Sequence, residues 1–368
     1  MTTNTLIFTR LTALQHTLKP GQWLLLSGAS DIFYFSRFRS SVPATERSVF
    51  LLIGANQAHL LLQNFLPIPT DFSGFVSQGH TSPQKLHNYL DVLRQQQSMQ
   101  ELFIDDNDLR VSEWLALQQL PGVKLATLSR EQLWQLRQYK DVHEQTQMRN
   151  AIRITKKILS STLKSLRLGQ TELDIATLIK SQVLAMPNCE LSFDSIVAFD
   201  QHSALPHHQP TSRKLRHGSV VLIDMGVKYQ GYCADMTRTI FWLNPQEKSP
   251  LTPALHKKRA QFNQIQTIVK TAYQAAADLI DRPNITAGDL DLACRQIITK
   301  AGYGNQFIHT TGHGLGLDIH EPPSLYHTNP TPLQSSMVIT IEPGIYLPGV
   351  FGYRFENTLF IKNKSDNA

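Results

Sequence analysis

The sequence predicts an α+β fold in two parts, a smaller α/β domain over residues 1–135 and a larger domain over residues 141–368. Three observations predict it. Up to about residue 135, short apolar runs alternate with helical periods, as expected of strands and helices packed in layers. From Asp141 onward the texture changes to a long helix, a capped helix and a strand pair, and that order occurs twice. The two passes also keep step. Thr171 and Thr286, which open corresponding helices, lie 115 residues apart, and the strand-ending acids Asp224 and Glu342 lie 118 apart.

In the first part, Trp23–Leu26, Val49–Ile53, His59–Leu62, Leu102–Ile104 and Lys124–Leu128 read as strands. Helical periods cover Pro83–Arg94 and Val111–Leu120. No catalytic constellation stands out there, and Asp105-Asp106 after a strand reads as a turn. In the second part a helix runs from Asp141 to Leu166 and is ended by Gly169. Thr171-x-x-Asp174 then opens a second helix as a capping box, with Asp in place of Glu. Strands follow at Val220–Ile223 and Thr237–Trp242. The second pass has a helix over Pro253–Ile280, a cap at Thr286-x-x-Asp289, and strands at Met337–Ile341 and Tyr353–Ile361. A pseudo-twofold domain of this kind would place its two hairpins together in one sheet.

Composition narrows the function classes. The formal net charge is +6, but the basic residues are scattered. The tightest clusters, Arg213-Lys214-Leu215-Arg216 and Lys257-Lys258-Arg259, are not interleaved with aromatics. That argues against a nucleic-acid platform. No stretch approaches the ~20 apolar residues of a membrane span. The first residues lack the apolar core of a signal peptide. Cys189, Cys233 and Cys294 are far apart and form no metal or redox spacing, so they read as reduced core thiols of a cytoplasmic protein.

The chemistry gathers in acids and histidines. Asp224 ends the run Val220–Ile223, the turn Lys228–Gly231 reverses the chain, and Asp235 returns. In a regular hairpin centred between Tyr229 and Gln230 the two aspartates face each other directly, with Cβ atoms ~5 Å apart. Like charges so placed are destabilising unless a cation lies between them. A single such acid is also common as a solvated strand end. Glu342 and Glu356 repeat the arrangement across a Gly- and Pro-rich segment whose register is not derivable. His309, His313 and His320 fall within twelve residues, with glycines on both sides of His313. Four carboxylates and an imidazole form a hard, oxygen-rich set suited to Mn²⁺, with Fe²⁺, Co²⁺ or Zn²⁺ as alternatives. Two cations suit the charge better than one, and cations ~3.5–4 Å apart share and activate a water for hydrolysis.

These residues resemble the pita-bread family of methionine aminopeptidases, aminopeptidase P and prolidase. The matching runs are Ala204–Pro210, Leu222–Gly226, Gly231–Thr239, Thr311–Gly316, His320–Pro323, Thr340–Tyr346 and Arg354–Glu356, and they cover the second part in order. The resemblance implies a pita-bread catalytic domain with an internal pseudo-twofold repeat, preceded by a creatinase-like N-terminal domain. It implies metal ligands Asp224, Asp235, His313, Glu342 and Glu356. It gives Glu342 the role of taking and passing the water's proton. His207 resembles the residue contacting substrate near the leaving nitrogen, and His320 the one stabilising the tetrahedral intermediate. His309 and Arg354 match positions that orient ligands or substrate. A homodimer is the family's common pattern. Asn357 departs from the pattern, since relatives usually have Asp beside the last ligand. Asp31, Arg37 and Arg39 resemble the family's N-terminal loop near the site.

The large N-terminal part separates this chain from methionine aminopeptidases, and the complete ligand set separates it from the metal-free creatinases. A metal-free pita-bread binding protein is disfavoured for the same reason. Prolidase-like relatives often carry an Arg between the His-Glu-Pro run and the Glu342 strand. Here no Arg or Lys lies between Glu321 and Glu342, and His327 is the sole cation candidate. An imidazole holds a carboxylate less well than a bidentate guanidinium does. The sequence therefore points to an Xaa-Pro aminopeptidase acting on peptides with proline in second position, with Xaa-Pro dipeptidase as the alternative.

Overall fold

Continuous apolar runs, buried on both faces, become the centre of a sheet in the first part of the chain. The computed structural model describes residues 10–42, 46–70, 72, 74–105 and 108–362. The chain divides into two units, Met1–Arg137 and Gln138–Ala368. Unit one holds a six-stranded mixed sheet of β1 (Gln22–Leu26), β2 (Val49–Gly54), β3 (Ala58–Leu62), β4 (Phe75–Gln78), β5 (Glu101–Asp105) and β6 (Lys124–Leu128), in the order β4-β3-β2-β1-β5-β6. Helices α1 (Ala29–Ser36), α2 (Pro83–Gln97), α3 (Val111–Leu117) and α4 (Arg130–Gln138) are among those that accompany it. Leu86, Leu90 and Leu93, one stripe of α2, pack with Trp23, Leu25, Phe50, Leu52 and Leu61 of the sheet. Strand β4 was not expected from the sequence; it is short and its residues are only partly buried or exposed.

The three N-terminal candidates have local partners. Asp31 is buried and pairs with Arg137 at 2.8 Å. The guanidinium carbons of Arg37 and Arg39 lie 4.9 and 5.4 Å from the centre of the Phe33 ring. Asp105 ends β5 and is buried, whereas Asp106 lies outside the described residues.

Unit two opens with α5 (Val142–Lys164), whose cap Asp141 accepts from Glu144 N while the Glu144 side chain returns to Asp141 N. Next come α6 (Glu172–Leu184), α7 (Pro253–Ala277) and α8 (Ala287–Lys300). The reciprocal boxes at Thr171–Asp174 and Thr286–Asp289 are both formed. In each, two N–H groups that a helix start leaves without partners are satisfied.

The strands are β7 (Cys189–Leu191), β8 (Ile196–Phe199), β9 (Ser219–Met225), β10 (Val227–Tyr229), β11 (Tyr232–Cys233), β12 (Met236–Trp242), β13 (Gly312–Gly314), β14 (Glu321–Leu325), β15 (Val338–Ile341), β16 (Gly344–Leu347), β17 (Phe351–Arg354) and β18 (Asn357–Phe360). They form the sheets β11-β10-β7, β12-β9-β8, β14-β13-β15-β18 and β16-β17. The repeat is visible in the pairing. Phe199 faces Val221 in the first half and Gly314 faces Ile339 in the second, again 115 and 118 residues on. Each helix pair covers its own sheet. Ile158, Ile175 and Ile179 pack with Val197, Val221 and Ile223. Phe262, Ile265 and Leu290 pack with Ile339, Ile341 and Tyr353.

The expectation that both hairpins share one sheet is corrected. Their strands belong to different sheets, and threonines stitch them together. Thr239 Oγ1 donates to Arg354 O at 2.9 Å, and Thr237 Oγ1 donates to Glu356 Oε2 at 2.6 Å. Thr358 Oγ1 donates to Asp235 O at 2.9 Å and accepts from Asp235 N at 3.1 Å. A hydroxyl both donates and accepts, so it replaces ladder bonds where the backbone is interrupted.

Candidate active site

The interruptions fall at the acids. In the first hairpin Asp224 faces Thr237, and Tyr229 faces Tyr232. The turn is therefore Gln230-Gly231, with φ of 51° and 92°, a two-residue turn that needs the left-handed region at both positions. The expected register, with Asp224 directly opposite Asp235, is corrected: continuing the same register puts Asp235 opposite Gly226, one step diagonal to Asp224. The offset is two residues along one strand, so both aspartates keep the same face. Gly226 is required here, because a Cβ would lie 1.9 Å from Ala234 O.

The second hairpin supplies the register that the sequence left open. Ile341 faces Asn357 and Gly344 faces Arg354. Carried across the gap, that register sets Glu342 opposite Glu356. Pro343 sits in the gap and has no N–H to give. The backbone N–H of Glu342 instead reaches Thr311 O at 2.7 Å, and that of Glu356 reaches Thr237 O at 3.3 Å.

Strand β13 brings His313 to these acids. Its Nε2 is 3.3 Å from Glu342 Oε1 and 3.7 Å from Asp235 Oδ2. Its Nδ1 lies 3.0 Å from Gly314 O and so carries the ring proton, leaving Nε2 turned to the carboxylates. Asp235, His313 and Glu356 offer ligand atoms within 4.8 Å of one another. Asp224, Asp235 and Glu356 are buried, and Asp224 Oδ1, Asp235 Oδ1 and Glu356 Oε1 have no hydrogen-bond partner among the described residues. Buried, partnerless carboxylate oxygens are costly, so this donor set fits divalent cations.

The proton affinities show the same crowding. Burial, then the charges of Glu356, Asp224 and Glu342, push the Asp235 carboxyl well above its ordinary range. Burial, Glu342 and Asp224 do the same to Glu356 against the opposing pull of Arg354. Glu342 goes the other way. Burial would raise it, but the hydrogen bond and charge of His313, with His309 and Arg354, hold it down to about 2. For His313, burial works against the charged ring, yet Glu342 raises its proton affinity.

Arg354 is a buried hub. It donates to Asp224 Oδ2 at 2.7 Å, to Tyr346 OH at 2.8 Å and to Thr237 Oγ1 at 3.0 Å. His309 Nε2 lies 2.8 Å from Tyr346 OH, and its Nδ1 lies 2.7 Å from Thr310 O. Burial, and to a lesser degree Arg354 and His207, keep His309 below the usual imidazole range. The His320 ring is exposed and stands edge-on to His313, with centroids 4.5 Å apart. Its proton affinity is lowered by burial, then by His313 and, more weakly, His207. His207 is exposed and within electrostatic reach of both rings. Asp224, Asp235, His309, His313, His320, Glu342, Arg354 and Glu356 are thus brought together, with His207 within electrostatic reach.

Two residues of the site were missed. Tyr346 was quoted in a matching run without a role, yet its hydroxyl joins His309 to Arg354. Period two from Glu342 through Gly344 to Tyr346 would have put it on the same face. Thr237 faces Asp224 and binds Glu356, and its place opposite an acid was the available signal. Asn357 accepts from Arg238 at 2.7 Å and donates to Tyr273 OH at 2.9 Å. His327 is exposed, with Nδ1 3.9 Å from Asp291 Oδ2. No helix among the described residues is long and apolar enough to cross a membrane.

Comparison with known proteins agrees with this geometry. Residues 146–363 match the model of metallopeptidase family M24. An uncharacterized peptidase of Staphylococcus haemolyticus is 33% identical over 95% of this chain and 93% of its own. The structure of an Xaa-Pro dipeptidase from Bacillus anthracis superposes with a TM-score of 0.82 at 25% identity, covering 98% of this chain and 96% of that one. An X-Pro aminopeptidase from Thermotoga maritima gives a TM-score of 0.80 at 27% identity, covering 93% of each chain. Fold, site and likeness converge on one assignment: this chain is a metallopeptidase of family M24, with the pita-bread fold and a preceding N-terminal domain.

Proposed function

We propose that this peptidase is an Xaa-Pro aminopeptidase that removes an N-terminal residue preceding proline. The observation that carries the hydrolytic reading is the cluster of Asp235, His313 and Glu356, whose ligand atoms lie within 4.8 Å of one another, beside the unpartnered buried oxygens of Asp224, Asp235 and Glu356 among the described residues. Asp224, Asp235, His313, Glu342 and Glu356 would hold two divalent cations, Mn²⁺ first among Mn²⁺, Co²⁺, Zn²⁺ and Fe²⁺. When bound, the cations supply an activated water and polarise the scissile carbonyl. The chain's own groups do the rest. Glu342, whose carboxylate is held in its ionised form by His313, His309 and Arg354, would accept a proton from the attacking water and return it to the leaving nitrogen. His207 and His320 present exposed imidazole rings that donate to the substrate where charge develops. Arg354 and Tyr346 fix Asp224 and His309 through the bonds described above.

Preference for longer peptides over dipeptides is supported by the segment between Glu321 and Glu342, which lacks Arg and Lys. His327, the cation candidate of that segment, has its Nδ1 3.9 Å from Asp291 Oδ2, and Arg354, the other candidate of this chain, donates to Asp224 and Tyr346. An Xaa-Pro dipeptidase is the second reading, favoured by the likeness to the Bacillus anthracis enzyme. Residues 1–135 are proposed as a creatinase-like domain and 141–368 as the catalytic domain. A cytoplasmic homodimer is the proposed state, the compartment supported by three buried, unbridged cysteines. The test is hydrolysis of matched Xaa-Pro and Xaa-Pro-Yaa peptides by metal-stripped protein, with and without Mn²⁺. Mn²⁺-dependent cleavage of the tripeptide over the dipeptide is the expected result. Dipeptide preference establishes the second reading, and no cleavage with any of the four metals removes both.

A further inference from the structure

His207 lies on a stretch with little architecture of its own. A 3-10 turn covers Asp200–Ala204, and residues 205–211 are outside helices and strands. What binds this stretch is Glu172, the first residue of α6, whose side chain is wholly buried. Its carboxylate accepts from Phe199 N at 2.8 Å, His202 Nδ1 at 2.9 Å, His208 Nε2 at 2.9 Å, Thr211 N at 2.9 Å and Thr211 Oγ1 at 2.7 Å. These donors bracket His207 on both sides, and His208 is its direct neighbour.

A carboxylate with that many donors stays ionised. Burial alone would raise its proton affinity, but the bonds from Thr211, His208 and Phe199 outweigh it and hold Glu172 below its ordinary range. An ionised carboxylate only accepts, so His202 carries a proton on Nδ1 and His208 on Nε2. The ligand atoms of Glu172, His202 and His208 lie within 4.8 Å of one another. Both carboxylate oxygens are already taken by N–H and O–H donors, however, which makes the trio a hydrogen-bond cradle rather than a cation site. Opposite the cradle, Gly352 N donates to Ser203 Oγ at 2.9 Å, and Arg354 Nη1 reaches Pro206 O at 3.4 Å. The stretch is therefore tied to α6 on one side and to the strand bearing Arg354 on the other.

We infer that Glu172 is a positioning residue: it holds residues 199–211, and through them His207, in register with the carboxylate site. This rests on the role proposed for His207 in peptide hydrolysis. Glu172 touches neither substrate nor cations. Its substitution acts on the orientation of one imidazole, and a misplacement of about 1 Å in such a group costs up to about 100-fold in rate.

The experiment is a double-mutant cycle in the metal-loaded full chain, using Glu172→Gln, His207→Ala and both together. Expected are a 10- to 100-fold lower kcat/KM for Glu172→Gln, roughly in the range of that misplacement, with unchanged metal stoichiometry. In the His207→Ala background the same change should cost less than about 2-fold, the mark of two groups acting as a unit. An equal loss in both backgrounds, or no loss, overturns the inference. Thr211→Val removes a single donor and serves the same cycle should Glu172→Gln fail to fold. Amide hydrogen exchange provides a readout independent of turnover. Glu172→Gln should speed exchange at Phe199 and Thr211 at least tenfold while Ile339 and Leu359 stay unchanged; unchanged exchange at Phe199 and Thr211 refutes it. Loss of all Xaa-Pro hydrolysis in the unsubstituted chain would instead count against the proposed activity, and the exchange result would still decide the cradle.

Discussion

The two repeats of the second unit set their pairs of acids by different constructions. In the first, short Asp side chains sit one step diagonal, and Gly226 lets the returning strand come close. In the second, longer Glu side chains sit opposite each other across a ladder opened at Pro343. Side-chain length and backbone approach trade against each other, so pseudo-symmetry of function does not require identity of residues. The histidine-bearing segments are clamped in different ways too. Glu172, at the first position of α6, holds the segment bearing His207. In α8 it is the fifth residue, Asp291, that accepts from Thr311 N at 3.1 Å and Thr311 Oγ1 at 2.8 Å, backed by Arg295 at 2.8 Å. Arg295 in turn holds the carbonyls of Phe307 and His309 at 3.2 and 3.0 Å.

Removing one proposed ligand from each repeat tests their equivalence. Asp235→Asn and Glu356→Gln should each lower kcat/KM by more than the roughly 100-fold typical of losing an outer partner. Metal content by elemental analysis should fall in both. Retention of full metal and turnover by either variant breaks the equivalence of the repeats.

The clamps differ in what they leave behind. Asp291→Ala strands the Arg295 guanidinium, and breaking a buried pair costs about 3–5 kcal/mol; that guanidinium keeps some exposure, so the lower end is expected in urea unfolding. A loss below about 1 kcal/mol, within the range of an ordinary hydrogen bond, would show that α8 is not clamped as α6 is.

Metal loading should stabilise both repeats at once. Mn²⁺ at 100 times its dissociation constant is expected to add about 2.7 kcal/mol to the unfolding free energy. Absence of a rise in Tm on loading would count against a cation between the repeats. The close approach is particular to the first hairpin. Gly226→Ala should cost about 1–3 kcal/mol by overpacking against Ala234 O, read as a lower denaturation midpoint at constant m.

A loss of similar size is expected at the stitch. Thr237→Val removes the buried hydrogen bond that Oγ1 donates to Glu356 and the one it accepts from Arg354, about 1 kcal/mol of stability each. It should also weaken metal binding about tenfold, as loss of an outer partner does. A stability loss with no change in metal affinity would make Thr237 a seam rather than a support for Glu356.

Much of this was legible because it is local. The caps at Asp141, Thr171 and Thr286 rest on bonds spanning three residues, so the sequence displays them directly. The acids and His313 stand out by type and spacing. The first hairpin's register was misread because Gln230 takes a positive φ that a Gln side chain does not announce. Strand β13 is Gly312-His313-Gly314, with no apolar pattern to mark it; it is a strand because β14 and β15 pair with it.

Composition, periodicity and residue chemistry thus determined the repeat, its capped helices and the set of acids and histidines, since each follows from contacts within a few residues. Long-range packing was needed to set Thr237 against Glu356, Tyr346 between His309 and Arg354, and Glu172 against His208. The bonded pairs in those contacts lie from 8 to 119 residues apart. At such separations a hydrogen bond forms only where folded elements have already brought donor and acceptor together, because the chain alone does not favour closing so many different loops.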